Sequence, residues 1–203
     1  MTKIAQSFEG FPVKAGTSGI WEIDKFEVSE KEARRFNLGE TIRGTNRHIA
    51  PGFYWRLTCS GRGTIMSNTP AELRDHAAFI DAAHGDVLIN GLGLGACLYL
   101  ILKKPEVKSV TVIEISQDVI DLVGKYFTDP RVTIICADAL KWRPQKSVRY
   151  DCVWHDIWDA ICGDNYPTMN TLQRVYGYKS DWQSSWVKKR VKELYKEDLK
   201  ESR

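Results

Sequence analysis

The sequence predicts an α/β fold: a mostly parallel sheet over residues 69–203, preceded by a small β-rich region over residues 1–68. Three observations carry that prediction. Between Asp86 and Ile115 the chain runs through an apolar strand, a glycine loop, an apolar helix, a β-branched strand and an acid. After Glu114 the alternation of strand and helix continues through two further strands. Before Thr69, by contrast, the apolar residues partly alternate in short runs, as hairpin strands do.

Residues 1–19 are polar and glycine-containing, without periodicity. Ile20 to Val28 reads as a strand. Ser29 with Glu32 forms a capping box for a short helix from Glu30 to Phe36. Residues 37–51, with Arg43, Arg47 and His48 between glycines, read as a loop. Phe53–Thr58 and Thr64–Ser67 make a hairpin around Cys59-Ser60-Gly61-Arg62-Gly63. Thr69-Pro70-Ala71-Glu72 starts a helix, with proline at its first position, that runs to about Ala83. Leu73, Ala77, Ile80 and Ala83 are expected on its core side.

Val87-Leu88-Ile89 is the apolar burst of a strand buried on both faces. Gly91, Gly93 and Gly95 follow, then a helix from Ala96 to Leu102, then the strand Val110–Ile113 ending on Glu114. Gln117–Tyr126 reads as a helix. Asp129-Pro130 turns into the strand Val132–Cys136, which ends at Asp138-Ala139. Tyr150–His155 is a fourth strand and ends at Asp156. Beyond residue 160 the pattern breaks. Pro167–Tyr176 reads as a helix, and Asp181 as the cap of a longer one carrying Trp182, Trp186, Val187, Val191, Leu194, Tyr195 and Leu199 on one side. No later strand is readable, so the fourth strand is expected to need cover from those helices or from a second subunit.

Composition narrows the function. The chain has 203 residues, of which 43% are hydrophobic, enough for one good core. Its longest apolar run, Ala96–Leu102, is too short for a bilayer, and MTKIAQSFEG lacks the apolar core of a signal peptide. The five cysteines are scattered without a CxxC pair; Cys136 and Cys152 fall in strands and read as small buried hydrophobes. A cytoplasmic protein without a metal site or membrane contact is expected. A net charge of +3 is too small to argue for nucleic acid. The basic and aromatic stretch from Arg43 to Arg62 fits a solvated hairpin with aromatics in the core better than a nucleic-acid surface.

The strand–glycine loop–helix–strand–acid order is that of a mononucleotide-binding unit. The glycines let the backbone approach a ligand at the helix N-terminus, and Glu114 can accept both hydroxyls of a ribose. A bare turn shows the same glycines. Acids recur, however, near the ends of three successive strands: Glu114, Asp138 and Asp156. Any one of them could be a helix cap, but open α/β sheets bind ligands at this edge.

These residues resemble the class I S-adenosylmethionine-dependent methyltransferases over about residues 70–160. Gly91, Gly93 and Gly95 resemble that family's first motif, Glu114 its ribose-binding acid and Asp138-Ala139 its adenine-binding pair. The chain is more similar to one branch, the spermidine synthases (polyamine aminopropyltransferases). They share an aliphatic residue at the position of Ile89, a small N-terminal β-domain and a strand-end motif YDVIxxDxxDP. Here that motif reads Tyr150-Asp151-Cys152-Val153-Trp154-His155-Asp156-Ile157-Trp158-Asp159-Ala160, with both later acids in register. Ile157 and Trp158 replace the branch's serines and Ala160 its proline. Of its Gln…Asp-Glu-x-x-Tyr-His segment, His76 matches, Asp75 takes the tyrosine position and Met66 roughly the glutamine position.

The resemblance implies a Rossmann-like, shortened methyltransferase fold that takes S-adenosylmethionine or its decarboxylated form. Asn90, Gly91, Gly93, Gly95, Glu114, Ile115, Asp138, Ala139 and Asp156 would hold that donor. Asp156 would bind the donor's amino group or serve an acceptor amine, and Asp159 would hold a second cationic group. Trp158 can face a cation through its ring; Trp154, inside the strand, is expected in the core. His155 should point away from Asp156. Methyl transfer to a small-molecule acceptor is the first functional expectation. Aminopropyl transfer to a polyamine is the second, and a non-catalytic nucleoside-binding or assembly protein the third. A homodimer is left open, without a direct interface signal.

Overall fold

The computed structural model describes residue 8, residues 10–45 and residues 47–201, and its strands fall into two separate sheets. Residues 1–7 and 9 of the polar opening stretch, residue 46 in the expected loop and residues 202–203 lie outside the described residues.

The first sheet is antiparallel, in the order β1 (Gly16–Ser18), β2 (Trp21–Val28), β3 (Gly52–Cys59), β4 (Gly63–Ser67). Ile23 and Leu57 pair across its centre and are both buried. The capping box forms as expected: the Ser29 amide donates to Glu32 at 2.8 Å and the Glu32 amide to Ser29 Oγ at 3.3 Å. Helix α1 nevertheless runs from Glu30 to Ile42, so residues 37–42, expected in a loop, are helical. A long-range clamp offsets the cost of Gly39. Asn37 donates to the Ile49 carbonyl at 2.9 Å and accepts from the Ile49 amide at 2.8 Å, fixing the added turn to the chain that returns past it.

Helix α2 (Pro70–Ala82) starts at its proline, as the sequence indicates, but the Thr69 side chain makes no capping bond. The Glu72 carboxylate instead accepts from the Ser67 amide. Its inner face is shifted. Leu73, His76, Phe79 and Ala83 are buried, whereas Ala77 faces solvent and Ile80 is half-buried.

The second sheet is parallel throughout, in the order β7 (Val132–Cys136), β6 (Val107–Glu114), β5 (Gly85–Asn90), β8 (Tyr150–His155), β9 (Ser180–Ser185). Helices α3 (Ala96–Leu102) and α4 (Gln117–Val123) connect its first strands, and a short 3₁₀ turn, Gly124–Tyr126, continues α4. Helix α5 (Tyr166–Tyr176) leads into β9, and α6 (Lys188–Glu201) follows it. From β5 the chain goes to β6 on one side and later to β8 on the other. That reversal of strand order opens a crevice above the strand ends.

β9 corrects the sequence reading, which places Asp181 and Trp182 at the start of a helix. Ser180–Ser185 pairs in parallel with β8, Cys152 opposite Trp182 and Trp154 opposite Ser184. Trp182 lies against Trp154 and Phe79 with ring centroids 6.4 Å away in each case. The edge of β8 is therefore covered by a strand and not by helices or a second subunit. One smaller expectation also fails: Cys136, on the other edge strand, is exposed while Cys152 is buried. No helix among the described residues is long and apolar enough to cross a membrane.

Trp154 sits in the core as expected, 2% exposed and stacked on Phe79 at 5.2 Å with an interplanar angle of 7°. Truncation to alanine would leave a cavity that the stacked rings cannot fill. Trp154→Ala should cost about 3–5 kcal/mol in urea unfolding. A loss below about 1 kcal/mol would show that the ring is not packed as described.

A candidate ligand cavity at the strand-order switch

A cavity of about 360 Å³ opens over the ends of β5, β6 and β8. Gly91, Gly93, Glu114, Ile115, Asp138, Ala139, Asp156 and Asp159 all line it. Of the residues predicted from sequence, Asn90 and Gly95 stand behind its wall. Asn90 is fully buried and bonds His155 Nδ1 at 2.8 Å. Gly95 has φ +75°, and a Cβ there would lie 2.5 Å from the Phe127 ring, so its place is dictated by packing at the start of α3. The antiparallel sheet closes the other side of the cavity with Trp21, Leu57, Arg62 and Ile65.

Each acid is held differently. Glu114 ends β6; its Oε2 accepts from the Leu92 amide at 2.8 Å and its Oε1 from the Ser116 amide at 2.9 Å. Both oxygens are thereby aimed, and each keeps a lone pair for a ligand hydroxyl. Asp138 caps its own turn, accepting from the Leu140 amide at 2.9 Å, with Lys141 Nζ 3.3 Å from its other oxygen. Asp159 pairs with Arg62 at 2.9 Å.

Asp156 faces the interior, its side chain 16% exposed. Its amide donates to the Asn90 carbonyl at 2.8 Å, fixing the end of β8 against the end of β5. Burial, reinforced by the charge of Glu72, pushes its carboxyl up to about 8. On its far side is a second chamber of about 50 Å³, lined by Glu72, His76, Trp158 and Trp186 among others. Burial raises Glu72 to about 7 against the opposing bond from Ser67, and lowers His76 to about 4. His76 Nδ1 lies 3.7 Å from Asp156 Oδ2 and has no hydrogen-bond partner. With both groups neutral near pH 7, this contact is not an ion pair. Asp75, next to these groups, is raised by burial and paired with Arg47.

The histidine expectation holds, and Trp158 lies on the cavity wall. Trp158 lines both chambers, its indole N–H donating to Thr168 Oγ1 at 3.0 Å. His155 is buried, bonded to Asn90 and within 3.3 Å of Gln183, and lines neither chamber. Sequence reasoning missed Glu72 and Arg62 as site residues. Glu72 has the signature of a capping acid, and Arg62 that of a hairpin turn; only the fold brings them to Asp156 and Asp159.

The arrangement suits a ligand with a hydroxyl pair at Glu114 and a cationic centre near Asp156. A cation there would favour the ionised carboxylate, which can then accept a proton.

Residues 72–173 match the spermine/spermidine synthase domain. The polyamine aminopropyltransferase of Sodalis glossinidius is 32% identical over 114 residues, 50% of this chain and 39% of that protein. The corresponding enzyme of Saccharolobus islandicus is 33% identical over 84 residues, 37% of this chain and 28% of that protein. Among solved structures, spermidine synthase from Thermotoga maritima is 21% identical, covering 79% of this chain and 52% of its own with a TM-score of 0.44. The chain spans 39% or less of the length of these two curated relatives. The matched domain takes in half of the chain and, running from α2 to α5, contains the glycine loop and the acids at all three strand ends. On that match, the chain belongs to the spermine/spermidine synthase family.

Proposed function

We propose that the chain transfers an aminopropyl group from decarboxylated S-adenosylmethionine to a small-molecule amine. The observation that carries this reading is Asp156, a mostly enclosed carboxyl that lines both chambers, with the oriented Glu114 on the wall of the larger one. The family match favours aminopropyl transfer over methyl transfer, which the sequence alone puts first.

The cavity suits such a donor. Its glycine-lined floor and apolar walls fit a nucleoside, with the ribose hydroxyls on Glu114 and the adenine beside Asp138 and Ala139. Bound there, the sulfonium supplies an electrophilic methylene carbon. The acceptor nitrogen forms a bond to that carbon, the C–S bond breaks, and its electron pair stays on sulfur as methylthioadenosine leaves. The nitrogen must give up a proton. Asp156 is placed to receive it, because the donor's positive charge favours its ionised form during binding. The protein's other contribution is alignment of nitrogen, carbon and sulfur. Asn90 and Gly95 support this machinery from behind the wall.

Two expected outcomes test this reading. In Glu114→Gln, an amide nitrogen would face a backbone N–H that now donates to Glu114. Methylthioadenosine affinity measured by calorimetry should fall at least about tenfold, or 1.4 kcal/mol. Affinity within about twofold of wild type would place the ribose elsewhere.

The second concerns pH and the ligand-free protein. Asp156 and Glu72 have folded values near 8 and 7, above their ordinary 3.8 and 4.5. Their contribution is complete below the ordinary values and is lost as pH rises through the folded ones. His76 and His155, held near 4 against an ordinary 6.5, act in the opposite sense between those values. The window from about pH 6.5 to 8 is therefore left to the carboxyls, and stability should fall across it. Asp156→Asn should flatten that fall in urea unfolding. A rise in wild-type stability over the same window would show that Asp156 is ionised in the folded chain.

A further inference from the structure

The hairpin between β3 and β4 places Arg62 at the cavity mouth. Among the described residues lining the cavity, it is the only cationic side chain. Three contacts hold it. Nη1 donates to Asp159 Oδ2 at 2.9 Å, Nε donates to Cys59 Sγ at 3.4 Å, and the guanidinium lies over the Trp21 ring at 5.5 Å. Cys59 and Trp21 are paired neighbours on β3 and β2. The guanidinium is therefore tied to its own sheet and stays at the mouth when a ligand competes for Asp159. Its Nη2 donors have no partner among the described residues.

We propose that Arg62 selects an acceptor whose far end is a carboxylate, so that the substrate class is an amino acid of the ω-amino kind and not a diamine. This rests on the function proposed above. Once the reacting amine sits at Asp156, the far end of a diamine would need Asp159, the second acid of the strand-end motif. Here that acid is already neutralised, and an ammonium drawn to it would also meet the guanidinium. A carboxylate can instead take the free Nη2 donors of a guanidinium whose fork geometry suits it. Arg62 and Asp159 are both about half exposed, with side chains 53% and 42% accessible. Solvent therefore screens the effect, and the selectivity is modest.

The test compares 4-aminobutanoate with 1,4-diaminobutane, two four-carbon amines that differ at one end. Each is titrated by calorimetry into the full chain saturated with methylthioadenosine. Wild type should bind the aminobutanoate more tightly by up to about fivefold, the upper end of what exposed charge pairs give. Arg62→Gln should reverse the order, and Asp159→Asn should widen it by releasing the guanidinium. A wild-type preference for the diamine overturns the proposal, as does failure of both amines to bind. So does an Arg62→Gln variant that weakens both amines alike, which is what a loosened hairpin would do. Failure of methylthioadenosine to bind is seen before either amine is added, and it removes the reading beneath this proposal.

Discussion

The site depends on one close approach of backbones. Gly91, at the exit from β5, has φ +99°, and a Cβ there would stand 1.9 Å from the Asp156 carbonyl oxygen. Only glycine lets the ends of β5 and β8 meet in this way. A hydrogen bond of 2.8 Å from the Asp156 amide to the Asn90 carbonyl locks that meeting, and one of 2.8 Å from the Gly91 amide to the Ile113 carbonyl ties it to β6. Three parallel strands thus end at a common level. Their terminal acids are held around one opening, Glu114 on β6 and Asp156 beyond β8.

The same contact accounts for the electrostatic asymmetry of the opening. The Glu114 carboxylate receives two backbone N–H groups, which replace the water it loses. Asp156 has its own backbone in the contact, and its carboxyl faces the chamber it shares with Glu72 and His76. An ionised side chain there is costly, and proton uptake relieves the cost. One edge of the sheet therefore carries one acid held by backbone donors and one whose carboxyl is pushed up by burial and by the charge of Glu72. The antiparallel sheet is fastened to this arrangement through Met66, whose sulfur accepts from the Leu94 amide at 3.3 Å. At roughly the position of the family's glutamine, Met66 holds the glycine loop while offering a ligand little polarity.

The parts of this architecture that were legible in sequence are those written locally. The glycine triplet, the β-branched strands and the acids after them specify the βαβ core without reference to the rest of the chain. Features created by distant pairing were not legible. Residues 37–42 remain helical because Asn37 is clamped by Ile49. The inner face of α2 turns toward His76 and Phe79 because the stacked ring of Trp154 lies opposite. Arg62 carries no motif, and its role follows from a hairpin arriving at a loop 97 residues later in the chain.

β9 shows most clearly how a local misreading reaches the site. Trp182 and Trp186 are four apart, which is a helical spacing, and the intervening Gln183, Ser184 and Ser185 give no strand signal. Pairing with β8 overrides that pattern, since the unpaired edge of a buried parallel strand is costlier than the weak β-propensity of serine. The consequence is functional. With 180–185 extended, Trp182 joins the stack on Trp154. The chain then leaves the strand through the amide of Trp186, bonded to the His155 carbonyl at 2.9 Å. That bond brings the Trp186 ring to the wall of the small chamber beside Glu72 and His76. A helix over the same residues would have placed both indoles on one stripe and left the chamber open behind Asp156. One apolar wall of the chamber whose enclosure pushes the Asp156 carboxyl up thus originates in a strand that only the β8 edge can specify.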